Sequence, residues 1–438
     1  MKPRMKAVRA LRSATSAAVL CLGAFNAGQA VAGGMWVYEN GTADVGLATA
    51  GYGARAQDAS TVLTNPAGMT RLEGTQTLFA GQLGYGDLKL SLNPTANPAS
   101  GGDGGNPVGW FPGGSAFISH SLSRDVKIGF GVAATFGGDV EYDNSWAGRY
   151  YGQQALLVGA SLLPSVAYRV NDKLSLGASL NAMYGDTKTQ VAINNILPAF
   201  GDGQLTLKDS VWGWGANLGL LYEVGPGTRY GLTWNSQVKL DFTAQAQFSG
   251  LAPLLNTALA SAGLLNANVD LGITVPQGVM GSFFHQMNDR WAVLGSVGWQ
   301  QWSKFGKVDV SVESSNPTSL TTDIDFKDTW HVALGAQHRL NADWLINFGV
   351  AYDSKFQDSS NVSPLLPTNT QWRFGLGAQK QESKSFSWGV AAEYLYGGTL
   401  DVNKQSVAPV ALGGRGDLNG SYNDTGVFFI AANASWKF

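Results

Sequence analysis

Four histidines are the side chains best suited to acid–base chemistry in this chain: His120, His285, His331 and His338. They are scattered singly, and neither a Gly-x-Ser-x-Gly nor a His-Glu-x-x-His motif occurs. His331 alternates with Trp330 and Val332, so it is predicted to point into an interior, where a structural hydrogen bond is its commoner role. The sequence therefore predicts no enzyme, no cofactor and no metal site.

A second group of side chains could bind an anion. Alternation places seven charged residues on the inward face of their strands: Lys127, Lys239, Asp241, Lys304, Lys327, Arg373 and Glu393. Both signs occur, so mutual pairing is one explanation. The other is that Lys239, Lys327 or Arg373 is left free to bind a carboxylate. The pattern leaves both open.

Apolar side chains in two predicted loops could bind a hydrophobic compound. In the later loop they recur at helical spacing: Leu251, Leu254, Leu255, Ala258, Leu259 and Ala262. The earlier loop carries another apolar group: Ile196, Leu197, Pro198 and Phe200. The two loops could simply pack together as a lid. The functional alternative is a greasy groove that captures an amphiphile from solution.

These residues are set in a long series of strands. From 174 to 184, for example, Leu, Ala and Tyr alternate with Ser, Gly and Asn. A soluble sandwich would put charge on its outer faces, but charged residues are only 14% of this chain, and 14 tryptophans suit two membrane interfaces. Gly213, Gly215 and Gly219 lie inside one such strand, where small residues make room in a crowded lumen. Closing the sheet into a barrel gives every backbone N–H and C=O group a hydrogen-bond partner in lipid, so the pattern predicts a transmembrane β-barrel.

Connection lengths give the strand number. Short turns are predicted at 123–125, 171–173, 225–227, 288–289, 341–343 and 381–383. Long loops are predicted near 88–113, 138–152, 188–204, 246–269, 306–322, 356–368 and 398–422. Six turns and seven loops in strict alternation join 14 antiparallel strands, with the short turns on the periplasmic side.

The N-terminal part of the chain precedes these strands. Residues 1–32 have a basic start, an apolar core and small residues before a cleavage point, as in a secretory signal peptide, and they contain Cys21, the one cysteine. Residues 33–75 are rich in Gly and Ala without a lasting period, and are predicted to form a hatch that plugs the barrel of residues 76–438. Asn65, Pro66 and Ala67 give that hatch a segment fixed by local chemistry.

The motifs along the mature chain resemble those of the FadL/TodX family of outer-membrane transporters. They are Asn65-Pro66-Ala67, Trp146 with Gly148-Arg149-Tyr150, Pro164 with Ala167-Tyr168-Arg169, Ser236 with Val238, Lys239 and Phe242, Phe326-Lys327-Asp328-Thr329-Trp330, and Ala333-Leu334-Gly335. The resemblance implies a 14-stranded barrel with an N-terminal hatch in the bacterial outer membrane. It also implies passive uptake of long-chain fatty acids or hydrocarbons, released sideways through a gap in the wall.

The resemblance has consequences for the cargo and for partners. Gly137 and Gly138 permit a kink at which such a gap is expected. Basic residues of the fatty-acid site in the family match Val191 and Thr322 here, so a neutral aromatic or aliphatic hydrocarbon is the alternative cargo. A general porin and a barrel lipase are the rival classes, disfavoured by the plug and the missing catalytic motifs.

Expected partners are hydrophobic small molecules, outer-membrane lipid and lipopolysaccharide, and the barrel assembly machinery, which would recognise the terminal Phe438. A monomer is expected, and the net charge of −2 argues against nucleic acid.

Overall fold

The computed structural model describes residues 35–93, 99–313, 318–323, 325–358 and 362–438, with side chains for most of them. The predicted signal peptide lies outside the described residues, and the division of the chain after residue 32 stays a prediction. In the described part no helix is long and apolar enough to cross a membrane.

The strands are β1 (Thr75–Asp87), β2 (Leu90–Leu92), β3 (Gly109–Ser121), β4 (Val126–Glu141), β5 (Gln154–Leu162), β6 (Ser165–Arg169), β7 (Leu174–Asn194), β8 (Asp202–Gly225), β9 (Thr228–Asn235), β10 (Val238–Gln245), β11 (Gln247–Ser249), β12 (Asn268–Val275), β13 (Gly278–Gln286), β14 (Trp291–Gln300), β15 (Lys307–Val312), β16 (Thr318–Asp323), β17 (Thr329–Arg339), β18 (Trp344–Asp353), β19 (Gln371–Gln381), β20 (Phe386–Lys404) and β21 (Leu418–Lys437). The α-helices are α1 (Thr42–Gly46), α2 (Thr61–Thr64), α3 (Pro253–Ser261) and α4 (Trp302–Phe305). Three 3₁₀ helices span Pro66–Arg71, Pro198–Phe200 and Val410–Leu412.

Within the described residues these segments form 14 antiparallel barrel strands, several of which are interrupted. The interrupted ones are β1 with β2, β5 with β6, β9 with β10 and β11, β12 with β13, β14 with β15, and β16 with β17. The barrel closes because β1 pairs with both β3 and β21. The predicted strand number and fold class are confirmed.

Three predicted loops are much shorter than expected. Most of the loop predicted at 306–322 belongs to β15 and β16. The loop predicted at 188–204 is mostly strand, since β7 runs to Asn194 and β8 begins at Asp202. The loop predicted at 398–422 is also shorter, since β20 runs to Lys404 and β21 begins at Leu418. Strands that rise above the lipid face water on their outer side, so they lose the apolar-outward pattern while their backbone ladder continues.

The alternation of side chains inverts partway up the wall. In β9, Leu232 is 49% exposed on the outside and Thr233 is buried inside. After a break at Ser236 and Gln237, Leu240 is buried inside and Lys239 is exposed outside. The neighbouring barrel strand inverts at its own break, Pro276 and Gln277, and Val238 pairs with Val275 beyond both breaks. The upper wall is therefore apolar within and polar without.

The segment before β1 lies across the bore of the barrel. Helix α1 contacts β18, β19, β20 and β21, whereas the 3₁₀ helix Pro66–Arg71 contacts β4, β6, β7 and β8 on the other side of the ring. Almost every residue from 35 to 72 is buried or half-buried. This segment, from Met35 to Leu72, is called the hatch below.

Candidate functional site

The hatch fits closely against the wall because glycines face it. A Cβ on Gly219 would lie 2.1 Å from Asn65 Oδ1, and one on Gly177 would lie 2.2 Å from the backbone nitrogen of Ala67. A Cβ on Gly231 would lie 2.0 Å from the carbonyl oxygen of Gly53. Strand glycines are thus where the hatch backbone touches the barrel, which explains much of the glycine content.

Asn65, Pro66 and Ala67 form one of these contacts. Asn65 Oδ1 accepts a hydrogen bond from the backbone N–H of Ala67 at 3.1 Å, capping the 3₁₀ helix that Pro66 begins. Asn65 Nδ2 donates to the carbonyl oxygens of Gly53 and of Leu220, at 2.6 and 3.0 Å. One amide therefore joins two parts of the hatch to strand β8.

A buried ionic cluster ties the opposite side of the hatch to the wall. Arg373 on β19 is fully buried, and its Nε donates to Asp353 Oδ2 at 2.6 Å. Its Nη1 donates to Glu39 of the hatch and lies 3.6 Å from Glu393 Oε1. One guanidinium thus faces three buried carboxylates. Its Nη2 has no hydrogen-bond partner among the described residues, but the side chain is fully buried and therefore closed to an anionic cargo. Arg373 points inward, as predicted.

His331 extends the same cluster. Its Nδ1 lies 2.7 Å from Asp353 Oδ1, and its Nε2 lies 2.6 Å from the Thr49 hydroxyl in the hatch. The ring of Tyr38 packs 5.1 Å from the imidazole. His331 points inward as expected, and its contacts with Thr49, Asp353 and Tyr38 join the hatch to the wall.

The other two cations predicted to bind a carboxylate are placed differently. Lys239 was predicted to point inward, but it points outward and forms an exposed ion pair with Asp241 at 3.0 Å. Its inward prediction, and that of Asp241, is wrong because the break before β10 inverts the alternation. Lys327 is 59% exposed and pairs with Asp358 at 2.6 Å, and Lys304 is exposed at the end of α4. Their inward predictions are also wrong, because both residues lie outside the strands whose alternation was used to place them.

Above the hatch the barrel holds an apolar interior built from the inward side chains of the upper wall. It includes Val191, one of the two positions at which the family pattern has a basic residue. The side chain of Thr322, the other position, lies outside the described residues. An aromatic cluster occupies one side of this interior: Phe136, Trp302, Phe305, Phe326 and Phe356. Trp302 stacks on Phe356 with ring centroids 4.9 Å apart.

The wall has a gap between β3 and β4. These strands pair only up to Ser115 and Ala133; above that level β3 pairs with β1 and β4 pairs with β5. The register slips between Ala134 and Phe136, and Gly137 has a φ of 105°. A cavity of about 1040 Å³ lies at the gap, and Gly137 and Gly138 line it. The kink predicted at these two glycines is therefore at the edge of an opening.

The start of the hatch replaces part of the missing pairing. The N–H of Gly137 donates to the carbonyl oxygen of Met35 at 2.7 Å, and the N–H of Val37 donates to that of Thr135 at 3.1 Å. Strand β4 thus turns its free edge toward the hatch instead of toward β3. The hatch and the gap are in direct contact.

The two apolar loops lie side by side outside the barrel. Asn195 joins them, since its Nδ2 donates to the carbonyl oxygen of Gly250 at 2.8 Å and its Oδ1 accepts from the N–H of Ala252 at 2.9 Å. Several predicted side chains are exposed: Ile196 56%, Leu197 58%, Phe200 50% and Leu254 85%. Leu259 is buried, and Leu251 and Leu255 are half-buried. Part of the predicted apolar surface is therefore open to solvent.

A polar contact holds the base of the earlier loop. Arg149 Nε donates to Asp202 Oδ2 at 2.5 Å, and the Tyr150 hydroxyl donates to Asp202 Oδ1 at 2.6 Å. Burial raises the pKa of Tyr150 to about 12, so its phenol keeps the proton that makes this hydrogen bond.

Comparison with known proteins agrees with this architecture. The family model for outer membrane protein transport proteins (OMPP1/FadL/TodX) matches residues 23–438. The chain belongs to this family. It is 27% identical over 404 residues to a long-chain fatty acid transport protein of Escherichia coli O6:H1, which covers 84% of this chain and 88% of the relative. It is also 27% identical over 413 residues to outer membrane protein P1 of Haemophilus influenzae, covering 85% and 87%.

Solved structures share the fold. A Pseudomonas aeruginosa FadL homologue superposes with a TM-score of 0.82 at 19% identity, covering 93% of this chain and all of the other. The P. putida toluene transporter TodX gives a TM-score of 0.67 at 16% identity, covering 92% and 99%. As a member of the family, the chain is a multi-pass outer-membrane transport protein.

Sequence reasoning missed several residues that this family member uses to hold its hatch. Glu39 and Thr49 belong to a segment with no regular period, so nothing in the sequence shows which way they point. Asp353 shares its parity in β18 with the buried Ala351 and could have been found by extending that alternation one step. Among the described residues, no group of three or more His, Cys, Asp or Glu side chains is placed to hold a metal ion.

Proposed function

We propose that this protein takes up hydrophobic compounds by passive diffusion, with long-chain fatty acids as its main cargo, and releases them sideways into the outer membrane. The observation that carries the proposal is that apolar surfaces in the loops and in the upper barrel lie above the hatch, beside a gap in the wall. We infer a route through them, because the hatch lies across the straight path. The route has three parts: exposed apolar loops, the apolar interior, and the opening between β3 and β4.

The first step is capture. The two adjacent loops expose four apolar side chains to water: Ile196, Leu197, Phe200 and Leu254. An exposed apolar surface of this kind favours binding of an acyl chain. No catalytic group is needed for any step of this route, so we infer that the protein is not an enzyme.

The second step is passage into the barrel. The upper wall is lined by inward aliphatic and aromatic side chains, and Met35 at the start of the hatch belongs to the same buried cluster. Cargo that displaces these side chains exchanges one apolar contact for another, at small cost. Water and ions find no comparable path, since the hatch fills the bore below.

The third step is lateral exit. Strand β4 is unpaired with β3 above Ala133, so we infer that cargo leaves here without breaking a backbone ladder. Substituting the glycines of the kink is a poor test, because a Cβ on Gly137 would lie 1.9 Å from the carbonyl oxygen of Leu157. Ala134 also lines the cavity and is a better site for a blocking side chain.

The test is Ala134→Trp, with uptake of a radiolabelled long-chain fatty acid measured in cells that lack other uptake routes. We expect a loss of about tenfold in uptake with normal amounts of folded barrel in the outer membrane. Gly81→Val is the matched control, because this glycine also lies on a barrel strand and has open space where a Cβ would be. Full uptake by a folded Ala134→Trp protein would rule out this exit.

A neutral hydrocarbon is the second candidate cargo, and a specific observation favours it. Lys239 and Lys327 are exposed and paired, and Arg373 is enclosed by carboxylates. None of these three is available to a carboxylate, whereas the aromatic cluster would suit an aromatic or aliphatic hydrocarbon. Competition between a fatty acid and toluene for uptake distinguishes the two cargos.

A further inference from the structure

The gap between β3 and β4 has an uneven charge composition. Four carboxylates line its cavity: Asp139, Glu141, Asp143 and Asp186. Among the described residues that line the cavity there is no lysine, arginine or histidine. Asp139 and Glu141 are exposed at the upper end of β4, next to the kink, so a polar headgroup that follows its tail through the gap would meet them.

Neutral donors hold these carboxylates. Gln154 Nε2 donates to both oxygens of Asp139 at 3.1 Å and lies 3.5 Å from Glu141 Oε2. Asp186 Oδ1 accepts from the Ser210 hydroxyl at 2.7 Å. Amides and hydroxyls fix the positions of carboxylates without cancelling their charge.

The four carboxylates of the cavity are called the rim below. Lys188 acts on one of them, Asp139, through its charge, but forms no ion pair with it. Lys188 on β7 stands two strands from Asp139, with Leu156 of β5 between them in the register. It does not line the cavity, and among the described residues none of the four carboxylates forms an ion pair. The rim therefore brings four carboxyl groups together without a cation of the described part of the chain bonded to any of them.

A second observation comes from the inner end of the same cavity. Gln82 on β1 lines it, is only 8% exposed, and has a buried Oε1 with no hydrogen-bond partner among the described residues. An unsatisfied buried acceptor is costly, and a donor brought by cargo would satisfy it. A carboxylate anion has no hydrogen to donate, whereas an alcohol or a protonated carboxylic acid has one.

We propose that the gap passes hydrophobic cargo in uncharged form and prefers a headgroup that donates a hydrogen bond over a carboxylate anion. This inference rests on the proposed lateral exit and adds which headgroups the exit favours. The carboxylates at the rim repel an anionic headgroup. Gln82 Oε1 accepts a hydrogen bond from a hydroxyl group of the cargo as it passes through the gap. A fatty acid then leaves as its protonated form.

The experiment compares a long-chain fatty acid with the primary alcohol of the same chain length at pH 8, where a carboxylic acid of ordinary pKa is ionised. In the triple variant Asp139→Asn, Glu141→Gln, Asp143→Asn we expect acid uptake to rise about threefold to tenfold while alcohol uptake stays unchanged. An acid-to-alcohol ratio equal to that of the unmodified protein would overturn the proposal.

A matched control removes the same charge elsewhere on the wall. Asp241→Asn, Asp270→Asn and Asp309→Asn neutralise three carboxylates of β10, β12 and β15, outside the cavity lining. We expect this variant to keep the normal ratio. An equal rise in the control would mean that general repulsion of anionic cargo, and not the rim of the gap, sets the selectivity.

Gln82→Leu tests the inner acceptor with a different readout. We expect uptake of the alcohol to fall about threefold while uptake of the alkane of the same length stays unchanged. Equal losses for both probes would overturn the role of Gln82 in recognition. An ineffective Ala134→Trp block would instead refute the exit itself, so failure of the selectivity and failure of the proposed function are distinguishable.

Discussion

The lower and upper parts of the barrel wall use the same strands with opposite patterns. Below the breaks, Leu232 faces out and Thr233 faces in; above them, Lys239 faces out and Leu240 faces in. The lower wall has lipid outside and a hatch with polar contacts inside. The upper wall has water outside and an apolar interior.

The difference shows that one barrel strand can have an apolar outer face in one part and a polar outer face in another, when an irregular break separates the two parts. A break that shifts the alternation by one residue turns every later side chain to the other face. Polar side chains gather at the breaks, where Trp234 Nε1 donates to Gln277 Oε1 at 3.1 Å and Gln277 Nε2 donates to Gln301 Oε1 at 2.8 Å. The breaks therefore mark where the apolar outward pattern of these two barrel strands ends.

The largest expected loss of folding stability comes from breaking the buried ion pairs of the lower wall, compared with an exposed pair in the upper wall. Arg373→Met removes the guanidinium that faces Glu39, Asp353 and Glu393 inside the lower wall, and leaving buried carboxylates unpaired should cost about 3–5 kcal/mol. Denaturant unfolding in detergent would measure this loss, and protease cleavage within the hatch would show where it acts.

The matched variant is Lys239→Met in the upper wall. It breaks an exposed pair, which is worth about 0–1 kcal/mol. Equal stability losses for the two variants would mean that the cluster around Arg373 does not hold the hatch.

A smaller effect is expected from placing a charge on the outer face of each region. Leu232→Lys puts an ammonium group in lipid and should destabilise the barrel by about 2 kcal/mol. Thr243→Lys, on the same barrel strand but above the break, faces water and should change stability by less than about 0.5 kcal/mol. Refolding equilibria in lipid vesicles would compare them, and a similar cost for both would place the upper wall in the membrane.

The smallest effect on stability is expected in the loops above both regions. Leu254→Asp with Leu255→Asp adds polarity to helix α3, where Leu254 is already 85% exposed, so the unfolding midpoint should hardly move. Capture of a fluorescent fatty acid should weaken about tenfold because the apolar surface is lost. Unchanged binding would leave only the packing of the two loops as the role of these leucines.

Much of the site followed from alternation read locally. The inward position of Arg373 and of His331, the kink at Gly137 and the helix at Leu254 were all predicted from neighbouring residues. Lys239 was assigned to the wrong face because the parity of β9 was carried across Ser236 and Gln237. Whether that break shifts the register by one residue depends on how β10 pairs with β12, and a single strand does not contain this information.

The sequence by itself determined the fold class, the number of strands and the presence of a compact segment before them, because period-2 alternation and turn spacing are local properties of a chain in lipid. The tertiary structure decided which residues meet. Glu39 and Thr49 of the hatch reach Arg373 and His331 across some 300 positions of sequence, and Gln82 of β1 lines the same cavity as Asp139 of β4. Such contacts depend on barrel closure and on where a ladder ends, and these are set by all strands together.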